Sequence, residues 1–159
     1  MCETRSTCSG IACHRDQHRA VGDLLALLDS DRLDLGVEHA KTRLQFGKPI
    51  ASFQMIQDLL AKMLANLTAC QCLMLRLAQL DDEGKLGDHH AALAKAFCTA
   101  KSRETVSWGR EVLGGNGIVA DYNVARFFAD AEALYSYEGT YQMQNLIVGK
   151  AITGHGAFL

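Results

Sequence analysis

Proline and aromatic residues are scarce in this sequence. It has one proline and 7% aromatic residues among 159 positions. This composition favours helices over a β-sandwich or barrel. Excess charge of either sign is also lacking, because the net charge is −2 and positive and negative residues are interspersed. Such a balance argues against a nucleic-acid-binding protein and against a polybasic membrane surface.

Long apolar runs and a secretory signal are absent as well. No stretch approaches the roughly 18 apolar residues that span a bilayer, so we expect no membrane span. Without a secretory signal, the six cysteines do not indicate a disulfide framework. Cys70, Cys72 and Cys98 lie in helical patterns and are expected to be small buried residues. With 48% hydrophobic residues, the chain can form one globular domain with a substantial core.

The first part of the chain is polar, rich in cysteine and histidine, and without a clear period. We expect residues 1–32 to be poorly ordered or unrelated to the domain that follows. Cys8, Cys13, His14 and His18 are residue types that bind zinc, but their spacing matches no standard zinc finger. An incidental tail is the favoured interpretation, and we predict no metal site.

Apolar residues recur every three or four positions in the remainder, which predicts helices over 32–44, 53–80, 89–113, 124–131 and 140–152. Ser52 and Asp88 are expected to cap the second and third helices. The inner face of the second helix alternates steps of four and three, as in a packed antiparallel bundle. This face comprises Ile56, Leu60, Met63, Leu67, Cys70, Met74 and Leu77. The sequence therefore predicts an all-α, antiparallel up-and-down bundle over residues 33–159.

Glu138 is the candidate general base. In Tyr137-Glu138-Gly139-Thr140 a carboxylate lies between an aromatic ring and a glycine, just before an apolar segment, so we expect it at the start of a helix with water partly excluded. Desolvation raises the pKa of a carboxyl group, and a raised pKa suits a base that works near neutral pH. From these residues alone, a solvated glutamate in a helix's first turn is the commoner arrangement.

Five motifs occur in one order along the chain. They are Arg43-Leu44-Gln45-Phe46-Gly47-Lys48-Pro49-Ile50, Phe53-Gln54 with Ile56-Gln57, Leu113-Gly114-Gly115-Asn116-Gly117, Tyr137-Glu138-Gly139-Thr140 and Ala151-Ile152-Thr153-Gly154. This string resembles the C-terminal helical domain of the acyl-CoA dehydrogenase family, and it is most similar to the glutaryl-CoA dehydrogenase branch. The resemblance covers residues 33–158.

The resemblance implies FAD-dependent oxidation of the Cα–Cβ bond of an acyl-CoA thioester. Glu138 matches the family's base, which takes the α-proton while the β-hydride goes to flavin N5. In the family, the thioester oxygen accepts hydrogen bonds from the base's own backbone N–H and from a flavin ribityl hydroxyl. This is oxyanion stabilisation without a charged side chain.

Matching positions also imply the binding residues. Arg43 matches an arginine near the FAD diphosphate, a role suited to a fixed cationic fork. Gly139 matches a residue that contacts the acyl-CoA. From the residues alone, a solvated helix-end arginine at Arg43 and a helix C-cap at Gly114-Gly115 are the favoured interpretations, because both are routine at helix ends. The other positions that match FAD contacts are Gln45, Phe46, Gln54, Glu111, Val112, Leu113, Gly114, Gly115, Thr140 and Phe158.

The resemblance further implies partners. In the family an N-terminal helical domain and a middle β-domain precede the part seen here, the proteins are tetramers, and FAD is partly held by a neighbouring subunit through this domain. We therefore expect a homo-oligomer or association with full-length relatives, and electron-transfer flavoprotein as electron acceptor. The expected location is the cytoplasm of a bacterium or the mitochondrial matrix of a eukaryote. The alternative is a truncated, non-catalytic assembly module that binds partner subunits.

Overall fold

The computed structural model describes residues 30–157, with side chains from Leu33 onward. This part of the chain is helical apart from one small hairpin, so the all-α prediction is confirmed. Short 3₁₀ turns at Ile50–Ser52, Gly114–Ile118 and Ala120–Tyr122 connect the elements. In order, the elements are α1 (Ser30–Thr42), β1 (Leu44–Gln45), β2 (Lys48–Pro49), α2 (Gln54–Asp82), α3 (Asp88–Leu113), α4 (Val124–Ser136) and α5 (Tyr141–Thr153).

Helix α3 is the central element, because it packs against all four other helices. Its alanines at 91, 92, 94 and 96 are buried and let the neighbouring helices approach closely. The larger residues Leu93 and Phe97 of α3 are 47% and 37% exposed. They lie four residues apart on the outward side of α3, so the small residues face the neighbouring helices instead.

Helix α2 runs antiparallel to α3. Leu60 near its start packs with Leu113 at the end of α3, whereas Leu77 near its end packs with Ala94. All seven residues predicted for the inner face of α2 are buried or half-buried. Cys70 and Cys98 are buried as predicted, but Cys72 lies on the exposed side of α2.

Helix α2 is also the one helix among residues 30–157 that is long and apolar enough, by length and composition alone, to cross a bilayer. The expectation of no membrane span did not anticipate this. Core helices of globular proteins pass the same test, and one side of α2 lies against α3.

Two of the predicted helix caps are wrong. The Ser52 hydroxyl donates to the Pro49 carbonyl at 2.7 Å, and extended Phe53 precedes α2 instead. Asp88 is the first residue of α3, and the Gly87 N–H donates to Nδ1 of His90 at 3.0 Å. Thr140, in contrast, caps α5, because its hydroxyl accepts the Met143 N–H.

The hairpin after α1 was not predicted. Leu44 pairs with Pro49 and Gln45 with Lys48, leaving Phe46 and Gly47 as a two-residue loop. Both have positive φ, 54° and 78°, as a mirror-image type I′ turn requires. Helix α1 therefore ends two residues earlier than the predicted boundary at 44.

Candidate active site

The Tyr137–Thr140 segment forms the turn between α4 and α5. Glu138 and Gly139 both adopt left-handed conformations, with φ of 51° and 88°. The side chain of Glu138 is exposed in the described part of the chain. The expectation that water is partly excluded around it is therefore wrong there. Glu138 also precedes the helix, because the cap is Thr140 and α5 begins at Tyr141.

A buried ammonium group lies beneath this turn. Lys95 of α3 is 3% exposed, and its Nζ donates to the carbonyls of Tyr137, Glu138 and Gly139 at 2.5, 2.9 and 2.6 Å. Burying an ammonium group is costly unless its donors are satisfied. Three consecutive carbonyls supply the acceptors here, and hydrogen bonds to a charged donor are among the stronger ones in proteins.

Gln144 of α5 binds two of the same carbonyls. It is 1% exposed, and its Nε2 donates to the carbonyls of Glu138 and Gly139 at 3.3 and 3.2 Å. A Cβ added at Gly139 would lie 2.6 Å from this nitrogen. Glycine is therefore required at 139 both by its positive φ and by the close approach of the Gln144 amide.

Sequence reasoning missed both Lys95 and Gln144. Lys95 follows Ala91 by four residues and precedes Cys98 and Ser102 on the same buried face of α3. A lysine at a position predicted to face the core is the signal that could have identified it, because lysine is rarely buried without a specific partner. No comparable signal marks Gln144, whose role depends on how α5 packs.

The residues predicted to contact FAD near α1 gather at one end of the bundle. Arg43, Gln45 and Gln54 are exposed, and Phe46 is 91% exposed at the tip of the hairpin. The 3₁₀ turn that follows the hairpin packs on Val112 and Leu113 at the end of α3. We call this region the hairpin end.

The end of α3 completes the hairpin end. Val112 and Leu113 are 3% and 7% exposed, which leaves mainly their backbone available to a ligand. Gly114 and Gly115 are exposed, and a Cβ at either position would meet no atom within 4 Å. Their backbone is therefore open to a neighbouring group.

Charge at the hairpin end is mixed. The Glu111 carboxylate lies 4.0 Å from the Arg110 guanidinium. Burial, and secondarily the charge of Arg43, lower the pKa of His39 below its ordinary value of 6.5. Near neutral pH His39 is therefore neutral, and the positive charge beside it is that of Arg43.

The hairpin end and the Glu138 turn do not meet within one chain. The turn is anchored at Lys95 and the hairpin end at Leu113 of the same helix, about 27 Å apart along its axis. The predicted residues thus form two groups, with Glu138, Gly139 and Thr140 in one and the remaining FAD contacts in the other. Phe158 lies outside the described residues.

An open cleft of about 500 Å³ adjoins the start of α5, between α3 and α4. Nε of Arg103 donates to Glu132 at 2.7 Å, and the Arg103 guanidinium lies 4.2 Å from the ring centroid of Tyr135. Tyr135 stacks in turn on Tyr141. No predicted site residue lines this cleft, and no sequence pattern indicated it.

No group of three potential metal-ligating side chains occurs between residues 30 and 157. The Cys8, Cys13, His14 and His18 cluster lies outside the described residues. The assignment of residues 1–32 to a separate segment stays a prediction.

The bundle matches a known class of helical domain. Residues 30–153 match the family description "Acyl-CoA dehydrogenase, C-terminal domain". The 3-(aryl)acrylate reductase of Clostridium sporogenes is 35% identical over 116 residues, covering 73% of this chain and 31% of that protein. Glutaryl-CoA dehydrogenase of Desulfococcus multivorans is 34% identical over 117 residues, covering 73% and 30%.

Comparison of the fold with solved structures agrees with the sequence matches. A glutaryl-CoA dehydrogenase from Mycobacterium smegmatis, solved in complex with FADH2, superposes with a TM-score of 0.87 at 28% identity, covering 92% of this chain and 38% of that one. The chain belongs to the acyl-CoA dehydrogenase family, as the resemblance of its motifs implied. It spans about a third of the length of the curated relatives it matches.

Proposed function

We propose that the protein carrying this chain is a FAD-dependent acyl-CoA dehydrogenase of the glutaryl-CoA dehydrogenase type, with Glu138 as the base. The observation that carries this proposal is an exposed carboxylate on a left-handed turn whose backbone is held by buried donors. A general base must be held within reach of the proton it takes. The backbone of Glu138 meets the requirement for fixed geometry.

The hairpin end fits an anionic, extended cofactor. Arg43 offers an exposed guanidinium, and Gly114 and Gly115 offer backbone with no side chain in the way. Arg110 offsets part of the charge that Glu111 would bring near a diphosphate. FAD, when bound, supplies the acceptor for the β-hydride. The described residues that would hold it are Arg43, Gln45, Phe46, Gln54, Glu111 to Gly115 and Thr140.

Glu138 performs the chemical step that belongs to this chain. Its carboxylate takes the α-proton of the thioester, while its backbone N–H donates to the thioester oxygen, where negative charge develops. Gly139 would contact the acyl-CoA through its backbone, because a Cβ at this position would lie against the buried Gln144 amide.

The distance of about 27 Å between the two groups of residues supports a site built from two copies. In that arrangement, the Glu138 turn of one subunit and the hairpin end of a neighbour contact the same FAD. The exposed apolar residues Leu44 and Phe46, 61% and 91% exposed, suit such an assembly. Electron-transfer flavoprotein is the proposed acceptor, on the family resemblance.

The test uses the protein that carries this chain, purified with FAD. We expect flavin absorbance that is bleached anaerobically by an acyl-CoA thioester. The Glu138→Gln variant should keep its flavin but lose turnover by about 10²–10⁴-fold, the usual effect of losing a general base. Glu38→Gln, at an exposed position on α1, is the matched control and should retain activity. Near-normal turnover of Glu138→Gln would exclude the proposed role.

The alternative is a non-catalytic assembly module. It is favoured by the exposure of Glu138. A colourless helical protein that associates with other subunits but shows no flavin absorbance would support this alternative.

A further inference from the structure

We propose that Lys95, assisted by Gln144, is a positioning residue that orients and polarises the backbone N–H of Glu138 for the thioester oxygen. This inference rests on the proposed function for its catalytic consequence. The orientation of the turn itself follows from the geometry, and it can be tested without activity.

The first step concerns peptide geometry. Each peptide bond in the turn is planar and trans, since no cis bond occurs among the described residues, and in a trans peptide the C=O and N–H groups point in opposite directions. The carbonyls of Tyr137, Glu138 and Gly139 all accept hydrogen bonds from Lys95 Nζ. The N–H groups in the same three peptides, those of Glu138, Gly139 and Thr140, therefore point away from Lys95.

The second step concerns where these N–H groups point. Lys95 and Gln144 lie on the buried side of the turn, at 3% and 1% exposure, whereas Tyr137 through Thr140 are exposed. The three N–H groups are thus directed toward the exposed side, where the Glu138 carboxylate also lies.

The third step concerns polarisation. A hydrogen bond accepted by the carbonyl of a peptide makes the N–H of that peptide a stronger donor, by about 10–30% per bond in condensed-phase estimates. Here the donor to the Tyr137 carbonyl is a buried cation at 2.5 Å. The Glu138 N–H belongs to this same peptide, so Lys95 acts on the thioester oxygen through one peptide bond without touching the substrate.

Gln144 contributes to orientation and carries no charge. Its Nε2 binds the carbonyls of Glu138 and Gly139, which fixes the peptides on either side of Gly139. The direction of the Glu138 Cα–Cβ bond is set by this backbone, so the same contacts also direct the carboxylate.

The test compares Lys95→Met with Lys101→Met in the flavin-loaded protein. Lys101 lies on the same helix and pairs with Glu104. We expect Lys95→Met to retain FAD and helical content while kcat falls by about 10²-fold, comparable to losing one oxyanion donor, with KM changed less than threefold. Lys101→Met should leave kcat near the unsubstituted value. Unchanged kcat in Lys95→Met overturns the proposal.

A spectroscopic readout separates positioning from a merely structural role. The infrared C=O stretch of a bound α,β-unsaturated acyl-CoA reports how strongly its thioester oxygen is hydrogen-bonded. We expect it to shift toward the free value in Lys95→Met but to stay in place in Glu138→Gln, which keeps the backbone N–H. If Lys95→Met does not fold, Gln144→Leu replaces it, with a smaller shift in the same direction. A stretch identical to that of the unsubstituted protein in the folded variant overturns the proposal.

Failure of the proposed function is recognised separately. An unsubstituted protein that neither binds flavin nor bleaches with acyl-CoA contradicts that function, and the turn is then assessed by amide hydrogen exchange at Glu138, Gly139 and Thr140. Faster exchange at these amides in Lys95→Met than in Lys101→Met supports the positioning role. Equal exchange contradicts it.

Discussion

Phe46 combines two features that oppose stability. It is an aromatic residue 91% exposed to solvent, and its φ of 54° is left-handed, which costs a residue with a side chain about 1–2 kcal/mol. The edge of its ring contacts Phe53 at a centroid distance of 6.1 Å, a small compensation. Strain of this kind often marks a site where another molecule binds, which agrees with the proposed FAD contact.

We therefore expect Phe46→Gly to separate stability from binding. The free energy of unfolding of the variant should be about 1 kcal/mol larger, because glycine accepts φ > 0 without strain. Its FAD affinity should fall, because the exposed ring is lost. Chemical denaturation and flavin titration measure the two effects.

Asn123→Gly is the matched control for this prediction. Asn123 has a φ of 59°, lies in the connection before α4 and is not itself one of the predicted FAD contacts. It should relieve less strain, since asparagine tolerates this region, and it should leave FAD affinity unchanged. Unaltered FAD affinity in Phe46→Gly would contradict a role for Phe46 in binding.

At the scale of the helices, the inner face of α2 was predictable and the hairpin was not. Apolar residues from Ile56 to Leu77 repeat with the period of a packed helix, and burial follows that period. A type I′ turn normally carries Asn-Gly or Asp-Gly, whereas Phe46 occupies the first central position here. The residue preferences of type I′ turns therefore did not predict the hairpin.

The candidate site, like the fold, was predictable only in part. The family motifs identified Glu138, Gly139 and Thr140, and the structure puts them in one turn. Glu138 is exposed, as the commoner arrangement from the residues alone would have it, and the expectation of partly excluded water was wrong because a local pattern does not report what covers a turn. Lys95 and Gln144 come from two different helices, so their convergence on this turn depends on tertiary packing, which sequence periodicity does not specify.

A polar contact between α2 and α3 gives a pH-dependent prediction at this scale. Lys101 Nζ donates to Glu104 at 2.8 Å, and Asn66 of α2 donates to the same carboxylate at 3.2 Å. The hydrogen bond from Lys101 is the largest influence and lowers the pKa of Glu104 below 4.5; burial is the next largest and opposes it, and the hydrogen bond from Asn66 lowers the pKa further. The folded state therefore favours the ionised carboxylate.

The sign of the effect follows from linkage. A carboxyl group with a lowered folded-state pKa contributes stability that is present above its unfolded pKa and is lost as pH falls through its folded pKa. Glu104 is 43% exposed, so solvent screening limits the contribution to a few tenths of a kcal/mol. In Glu104→Gln, the free energy of unfolding should decrease less steeply as the pH falls below about 4.5.

Lys101→Met tests the cause of that dependence. It removes the main donor to Glu104 and should flatten the same part of the stability profile, measured by urea unfolding at successive pH values. If the unfolding free energy of Glu104→Gln changes with pH below this value as it does in the unsubstituted protein, Glu104 is not the source of the pH dependence.

At the scale of the whole molecule, the separation of the two groups of site residues is the main constraint. The Glu138 turn and the hairpin end lie about 27 Å apart along α3, and α3 is a continuous helix of 26 residues. Bringing both groups onto one FAD by bending the chain would require breaking this helix, at the loss of the packing that it shares with every other helix. Association of two copies requires no such change.

A complementation experiment tests this arrangement. Glu138→Gln disables the turn of its own subunit, and Arg43→Ala weakens the hairpin end. If each FAD contacts the turn of one copy and the hairpin end of another, a mixed assembly contains some sites with both groups intact. For a random two-subunit assembly, roughly a quarter of the unsubstituted activity should return on mixing unfolded variants and refolding them together. Each variant refolded alone is the control and should stay inactive. No recovery in mixed assemblies shown by mass to contain both variants would mean that both groups act on FAD within one subunit.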